Sequence, residues 1–340
     1  MKDLLSTNPI KTLVITGPTA TGKTALALKL AKLLPADLIS ADSRQVYTSL
    51  DLIPGKDIPS SFHKKNSSIT LNQSPIPIYT NNKTSIYGYD LVDPNQSWNL
   101  NFFHQFAWKV ITYVSQQKRL PIVVGGTGLY IDTLFNPTPN TQVPPNPILR
   151  ARLEKLSINK LQNKLLNLNP EKFNSLNHSD QHNPRRLIRA IEVSTSSIAH
   201  PKSKHSSPQL DCLKIALTAP LSTLEKNITK RVKQRLNSNY LNELNILKSL
   251  DPDLKLPASS ALGYQILSDF HQKKITRQQA TTLWVNQELN YAKRQLTWLR
   301  AQSNYHWIDI SPKNHAKQVV DLVTRWYSET NHDRYTQPQN

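Results

Sequence analysis

A single cysteine, Cys212, in 340 residues excludes an intramolecular disulfide, a cysteine-based zinc finger and an iron–sulfur cluster. Long hydrophobic runs are missing too. No stretch approaches the roughly 18 apolar residues of a membrane span, and the opening MKDLLSTNPIK has no apolar segment of signal-peptide length. The expectation is a soluble, cytoplasmic protein with no membrane partner. Carboxylates are scarce: 23 Asp+Glu stand against 42 Lys+Arg, a formal charge of +19. An excess of that size favours a polyanionic partner, nucleic acid before anionic membrane, over a basic surface tuned only for solubility. Apolar residues make up only 38% of the chain but cluster periodically, so it reads as globular with polar loops.

What is present is an α/β rhythm. TLVIT (12–16), DLISAD (37–42) and LPIVVGG (120–126) read as buried strands, and KTALALKLAKLL (23–34) and SWNLNFFHQFAWKVITYVSQQ (97–117) as helices. Their alternation through short glycine turns implies right-handed crossovers and a parallel sheet. After Phe135, the polar stretches NPTPNTQVPPNP (136–147) and STSSIAHPKSKHSSPQ (194–209) bracket a basic helical segment, 148–195, before CLKIALTAP (212–220) resumes strand character. LEKNITKRVKQRLNSNYLNELNIL and TRQQATTLWVNQELNYAKRQLTWLR read as helices, YHWIDI as a strand, and residues from about 313 to 327 as an amphipathic helix. Residues 59–88 fit a loop or a hairpin.

Directly behind the first strand stands GPTATGKT, Gly17-Pro18-Thr19-Ala20-Thr21-Gly22-Lys23-Thr24. Both spacing and context match a P-loop. The glycines let backbone N–H groups turn onto phosphate oxygens, Lys23 adds a point charge, Thr24 offers a hydroxyl to Mg²⁺, and the helix N-terminus contributes its partial positive charge. The pattern is silent on which polyphosphate is held. The expected fold is a P-loop NTPase-like parallel sheet flanked by helices. Its catalytic core is split into 1–135 and a helical second part, 211–312, around an inserted helical subdomain with linkers, 136–210, and 313–340 forms a C-terminal helix and loose tail.

Ligands of an open parallel sheet gather at the carboxyl ends of its strands. Besides the P-loop, that rim receives Asp42-Ser43-Arg44-Gln45 from the second strand and Gly125-Gly126-Thr127-Gly128 from the third. Asp42 suits a general base, an acceptor in a magnesium shell, or a helix N-cap. Thr127 suits a substrate contact or an ordinary turn position.

GPTATGKTALALKLA, ISADSRQVY, LPIVVGGTGLYI, NPRRLIRAIEV, ALGYQIL and YAKRQLTWLR occur in the order and approximate spacing of the bacterial tRNA dimethylallyltransferases, also called tRNA isopentenyltransferases. The chain resembles that family over residues 10–310. The resemblance implies that the P-loop, on a nucleotide-kinase fold, grips the diphosphate of dimethylallyl diphosphate, with Mg²⁺ on Thr24. The prenyl group goes to N6 of adenosine 37 in tRNAs reading codons that begin with U, forming N6-(dimethylallyl)adenosine. Asp42 matches the family's base, Thr127 the contact to a flipped-out adenosine, and Arg235 the arginine that reaches the diphosphate; Arg231, one turn away, is the weaker match.

For the tRNA anticodon stem–loop, the family pattern falls on Asp42, Ser43, Arg44, Gln45 and Thr127, and on Arg150. It falls also on Arg185, Arg186 and Arg189, and on Ser260, Ala261, Leu262, Gly263, Tyr264 and Gln265. A monomer is expected. Two departures stand out: DLIPGKDIP (51–59) keeps Asp51 and Lys56 of the family's DIGTAKP but differs around them, and Gln265 stands where arginine or lysine is frequent. The rival readings are a P-loop small-molecule or nucleotide kinase, a prenyltransferase of free adenine nucleotides, and a non-catalytic RNA-binding protein.

Overall fold

The computed structural model describes residues 9–71, 73–136, 143–196 and 209–332. Contacts divide the chain into two units, residues 1–135 with 208–340, and residues 136–207. The polar stretches at 137–142 and 197–208 and the tail from 333 lie outside the described residues.

In order, the larger unit begins with β1 (Ile10–Thr16), α1 (Lys23–Ala31), β2 (Ala36–Ser40), β3 (His63–Leu71), β4 (Ser74–Thr80), β5 (Ser85–Tyr87), α2 (Leu100–Gln116), β6 (Leu120–Val124) and α3 (Gly128–Thr133). The smaller unit holds α4 (Pro147–Leu153), α5 (Ile158–Leu168), α6 (Pro170–Asn174), α7 (His178–Gln181) and α8 (Pro184–Thr195). The larger unit resumes with β7 (Leu210–Thr218), α9 (Leu221–Leu236), α10 (Tyr240–Leu250), α11 (Tyr264–His271), α12 (Arg277–Arg300), β8 (His306–Asp309) and α13 (His315–His332).

Among the described residues one sheet runs β3-β4-β5-β2-β6-β1-β7-β8. It is parallel from β5 to β8, and β3 and β4 add an antiparallel hairpin at one edge. Every residue of β2 and β6 is buried, as expected of strands covered on both faces. The period-2 alternation sorts the side chains: Leu13 and Ile15 join Leu26, Leu30, Val319 and Val323 from α1 and α13 on one face. Val14 joins Phe103, Phe106 and Val110 from α2 on the other. Burial stabilises each such side chain by about 1.5–3 kcal/mol. Asn99 starts α2 by accepting a hydrogen bond from Phe102 N.

A third cluster packs α9 and α12 through Leu224, Ile228, Val232, Trp284 and Leu296. A capping box of Thr276 and Gln279 starts α12, a 24-residue helix. The segment 59–88 resolves into the β3–β4 hairpin followed by β5. DLISAD and LPIVVGG are strands only as far as Ser40 and Val124, so Ala41-Asp42 and Gly125-Gly126 are loop residues at the rim.

The smaller unit has its own core of Leu153, Leu161, Leu165, Leu187, Ile188 and Ile191. Three of its helices begin at Asn-Pro steps. Asn146, Asn169 and Asn183 accept N-terminal N–H groups, while Pro147, Pro170 and Pro184 occupy first-turn positions that need no donor. Among the described residues no helix is long and apolar enough to cross a membrane.

Candidate active site

The loops after β1, β2 and β6 meet at one end of the sheet around a cavity of about 860 Å³. Gly17 has φ +145°, and a Cβ there would stand 2.5 Å from the Leu217 carbonyl oxygen of β7, so a side chain would push the cradle off its neighbouring strand. Thr21 Oγ1 closes the loop on the Pro18 carbonyl at 2.8 Å, and Lys23 Nζ donates to the same oxygen at 2.8 Å. Burial, then the Arg231 charge, lowers the Lys23 ammonium to about 8; Asp42, Asp57 and Glu288 oppose that shift.

Asp42 and Thr24 both line the cavity. No helix follows Asp42, so the N-cap alternative falls away: its Oδ1 instead accepts Arg44 N at 2.8 Å in a two-residue turn. Burial raises the Asp42 carboxyl above the ordinary carboxylate range, against the Arg44 N–H and the charges of Arg44 and Lys23. Thr24 Oγ1 makes no protein hydrogen bond among the described residues, whereas the hydroxyls of Thr19 and Thr21 are engaged. A free hydroxyl with a carboxylate on the same cavity is a hard-oxygen donor set that fits Mg²⁺, an ion that keeps much of its shell for water and phosphate.

Two helices complete the cleft. From α9, Arg235 is buried at 8% exposure, and burial followed by the Arg231 charge brings its guanidinium down to about 10. Gly55, at φ +73°, is where the 51–59 loop passes this arginine: a Cβ would lie 2.1 Å from Arg235 Nη2. The family-divergent loop thereby fits around Arg235, and its Asp57 lines the cavity. Lys56 anchors the loop with a fully buried amine that donates to Tyr47 O at 2.7 Å, Asp51 at 2.6 Å and Asp90.

From α12, Glu288 accepts from Arg231 at 2.7 Å and from Arg235 at 3.2 Å. Gln295 accepts from Thr19 N at 2.8 Å and donates to Gly126 O at 2.9 Å, joining the cradle to the third loop. The sequence reading missed both. The available signal was that Glu288 is the only carboxylate in the helix RQQATTLWVNQELNYAKRQLTWLR.

The remaining motif residues separate by environment. Thr127 stands beside the cavity, not on its lining; its hydroxyl lies 3.4 Å from Ser43 N. Ser43, Arg44 and Gln45 line the cavity; Arg44 also donates to Pro257 O at 3.0 Å, and Gln45 to Gly55 O at 2.8 Å. Of 260–265, Ser260 and Gln265 are exposed and Leu262 is half-buried. The Tyr264 ring is fully buried among the α10–α12 side chains, with the hydroxyl 3.4 Å from Glu243. Ala261 is buried, and Gly263 sits under the Trp284 indole.

Within the smaller unit, Arg150 forms a two-pronged pair with Glu192 at 2.9 and 2.8 Å, and Arg189 meets the same carboxylate. Arg186 pairs with Asp180, and Arg185 is exposed. Glu192 is buried at 2% exposure, and although burial works against it, the Arg150 guanidinium, the Asn146 N–H and Arg189 hold its carboxyl down to about 2.

A largely parallel sheet whose first loop carries GPTATGKT, with Asp42, the buried Arg235 and the half-buried Arg231 on the same cleft, defines a P-loop NTPase-like fold. Family models narrow this: isopentenyl transferase matches residues 10–76 and IPP transferase matches 77–302. The chain belongs to the IPP transferase family. It is 30% identical over 339 residues to a tRNA dimethylallyltransferase of Moorella thermoacetica, covering 96% of this chain and 98% of that protein. It is 31% identical to a tRNA dimethylallyltransferase of Halothermothrix orenii, over 91% of this chain and 90% of that protein. Among solved structures, the tRNA isopentenylpyrophosphate transferase of Bacillus halodurans matches with a TM-score of 0.63 at 26% identity, over 95% of this chain and 99% of that one. A eukaryotic dimethylallyltransferase acting on tRNA shares the fold, with a TM-score of 0.74 at 19% identity over 94% of this chain and 80% of that one.

Proposed function

We propose that this protein transfers the dimethylallyl group of dimethylallyl diphosphate to N6 of adenosine 37 in the anticodon stem–loop of tRNAs reading codons that begin with U. One observation carries the reading: a carboxylate with a raised pKa, Asp42, shares a single cavity with the phosphate cradle and Arg235. An adenine amine is a poor nucleophile. As N6 bonds to the allylic carbon and the carbon–oxygen bond breaks, the N6 proton passes to Asp42 and negative charge collects on the departing diphosphate. Lys23 and Arg235 answer that charge from fixed positions, where preorganised electrostatics act most strongly. Mg²⁺ held by Thr24 would neutralise part of the same charge. Thr127, beside the 42–45 turn, sets the place of the extruded base.

The smaller, basic unit is the RNA-gripping part: Arg150, Arg185, Arg186 and Arg189 address the phosphate backbone, with Ser260, Leu262 and Gln265 contributing from the larger unit. The protein acts as a cytoplasmic monomer. The test is incubation with labelled dimethylallyl diphosphate and unmodified tRNA, followed by mass analysis of the nucleosides. One five-carbon prenyl unit on the adenosine of an A36-A37-A38 loop is expected. ATP turnover without prenyl transfer would make the protein a kinase instead, and transfer to free AMP but not to tRNA would move the acceptor.

A further inference from the structure

The transferase reading uses Arg235 but leaves two neighbours unexplained. Arg231 lies one turn away on α9, and Glu288 reaches both arginines from α12. Two guanidiniums at this spacing repel each other, and burial adds a desolvation cost to each. Glu288 is itself only 4% exposed, so its charge acts at close range with little screening. Its two oxygens are divided, Oε2 to Arg231 and Oε1 to Arg235. Arg231 Nη2 also donates to Thr19 Oγ1 of the cradle, which is 3.3 Å from Glu288 Oε2. Arg231 Nε is enclosed by protein and has no hydrogen-bond partner. Arg231, Arg235 and Lys23 all line the cavity.

From this arrangement we propose that Glu288 is a positioning residue: by dividing its two oxygens between Arg231 and Arg235 it fixes the planes of both guanidiniums toward the diphosphate of the donor. The inference rests on the transferase reading for the identity of that donor. A guanidinium tied at one edge keeps its remaining N–H groups in a fixed plane, so two of them can meet two phosphate groups without reorganising as the bond breaks. With Nη2 taken by Thr19 and Glu288 and Nε enclosed by protein, Nη1 is the Arg231 donor left for a phosphate oxygen.

The experiment measures binding of inorganic pyrophosphate and of tRNA separately on the full chain, with Glu288→Gln beside the wild type. Glu288→Gln keeps the shape and removes the charge. Pyrophosphate affinity is expected to fall about tenfold or more while tRNA affinity stays within about threefold. Glu288→Asp should recover part of the loss. A pyrophosphate affinity within about threefold of wild type, or an equal loss for both ligands, overturns the proposal. Where Glu288→Gln does not fold, Arg231→Lys decides on the same threshold, because lysine keeps the charge but not the planar fork. Pyrophosphate binding needs no prenyl chemistry: a wild-type protein that binds it yet transfers nothing sinks the transferase reading and leaves the positioning role standing.

Discussion

Two buried glutamates each hold a pair of arginines, one in each unit. Glu288 holds Arg231 and Arg235 with side chains 28% and 10% exposed; Glu192 holds Arg150 and Arg189 at 39% and 31%. The inner pair lines a cavity shared with a phosphate cradle, and its charges are poorly screened. The outer pair is open to solvent, where ions weaken any attraction beyond about 8–10 Å. The same side-chain arrangement therefore suits two kinds of anion: a compact diphosphate that must be met in fixed geometry, and an extended backbone gripped by many weak, salt-sensitive contacts.

The sharpest way to separate the two regions is through the reacting group. Asp42→Ala should lower turnover by about 10²–10⁴-fold while leaving tRNA affinity unchanged, since general-base losses have that size. Single-turnover prenyl transfer beside a tRNA binding curve measures both, and near-normal turnover would remove Asp42 as the base. Next comes Glu192→Ala, which leaves two arginines without their buried partner. A loss of about 1–3 kcal/mol is expected, confined to the smaller unit, because the arginines left behind are partly solvated. Hydrogen exchange would locate it, and an equal loss of protection in the sheet would erase the distinction between units. Because the Glu192 carboxyl is held at about 2, well below its ordinary 4.5, its stabilisation is full above about pH 4.5 and is lost as pH falls through 2.

A pH profile probes the inner region. The Lys23 ammonium, lowered to about 8, carries its charge below that pH, so kcat/KM for the donor should fall about tenfold per unit above it. The acid limb should lie above the ordinary carboxylate range because Asp42 is raised and must be ionised to take a proton. A flat profile from pH 7 to 10 would contradict the Lys23 limb, and an acid limb at the ordinary carboxylate value would contradict the Asp42 one. The smallest effect belongs to the outer surface. Arg186→Glu should weaken tRNA binding severalfold and reduce the slope of log affinity against log salt by about one; an unchanged slope would take Arg186 off the RNA.

The parts of the fold legible in the sequence were those whose burial is local. β1, β2 and β6 announce themselves because covered parallel strands are continuous apolar runs. The β3 strand, HKKNSSITL, is mostly exposed at an edge and carries no such run, and β5 has only three residues. In the site, Gly17 to Thr24 and Asp42 were legible because one short segment builds each feature. Glu288 and Gln295 were not, since they reach Thr19 from 269 and 276 residues away and nothing in their local spacing marks the partner. Tyr264 shows the converse: a motif residue can be retained for packing, here inside the α10–α12 layer, while its neighbours Ser260 and Gln265 face outward.

Gln295 has one amide and two jobs, gripping Thr19 N with its oxygen and Gly126 O with its nitrogen. Under the proposed function these two loops seat the leaving group and the acceptor, and one carboxamide on α12 ties them together. A longer prenyl chain would then have to find room sideways, because parting the two loops breaks that tie.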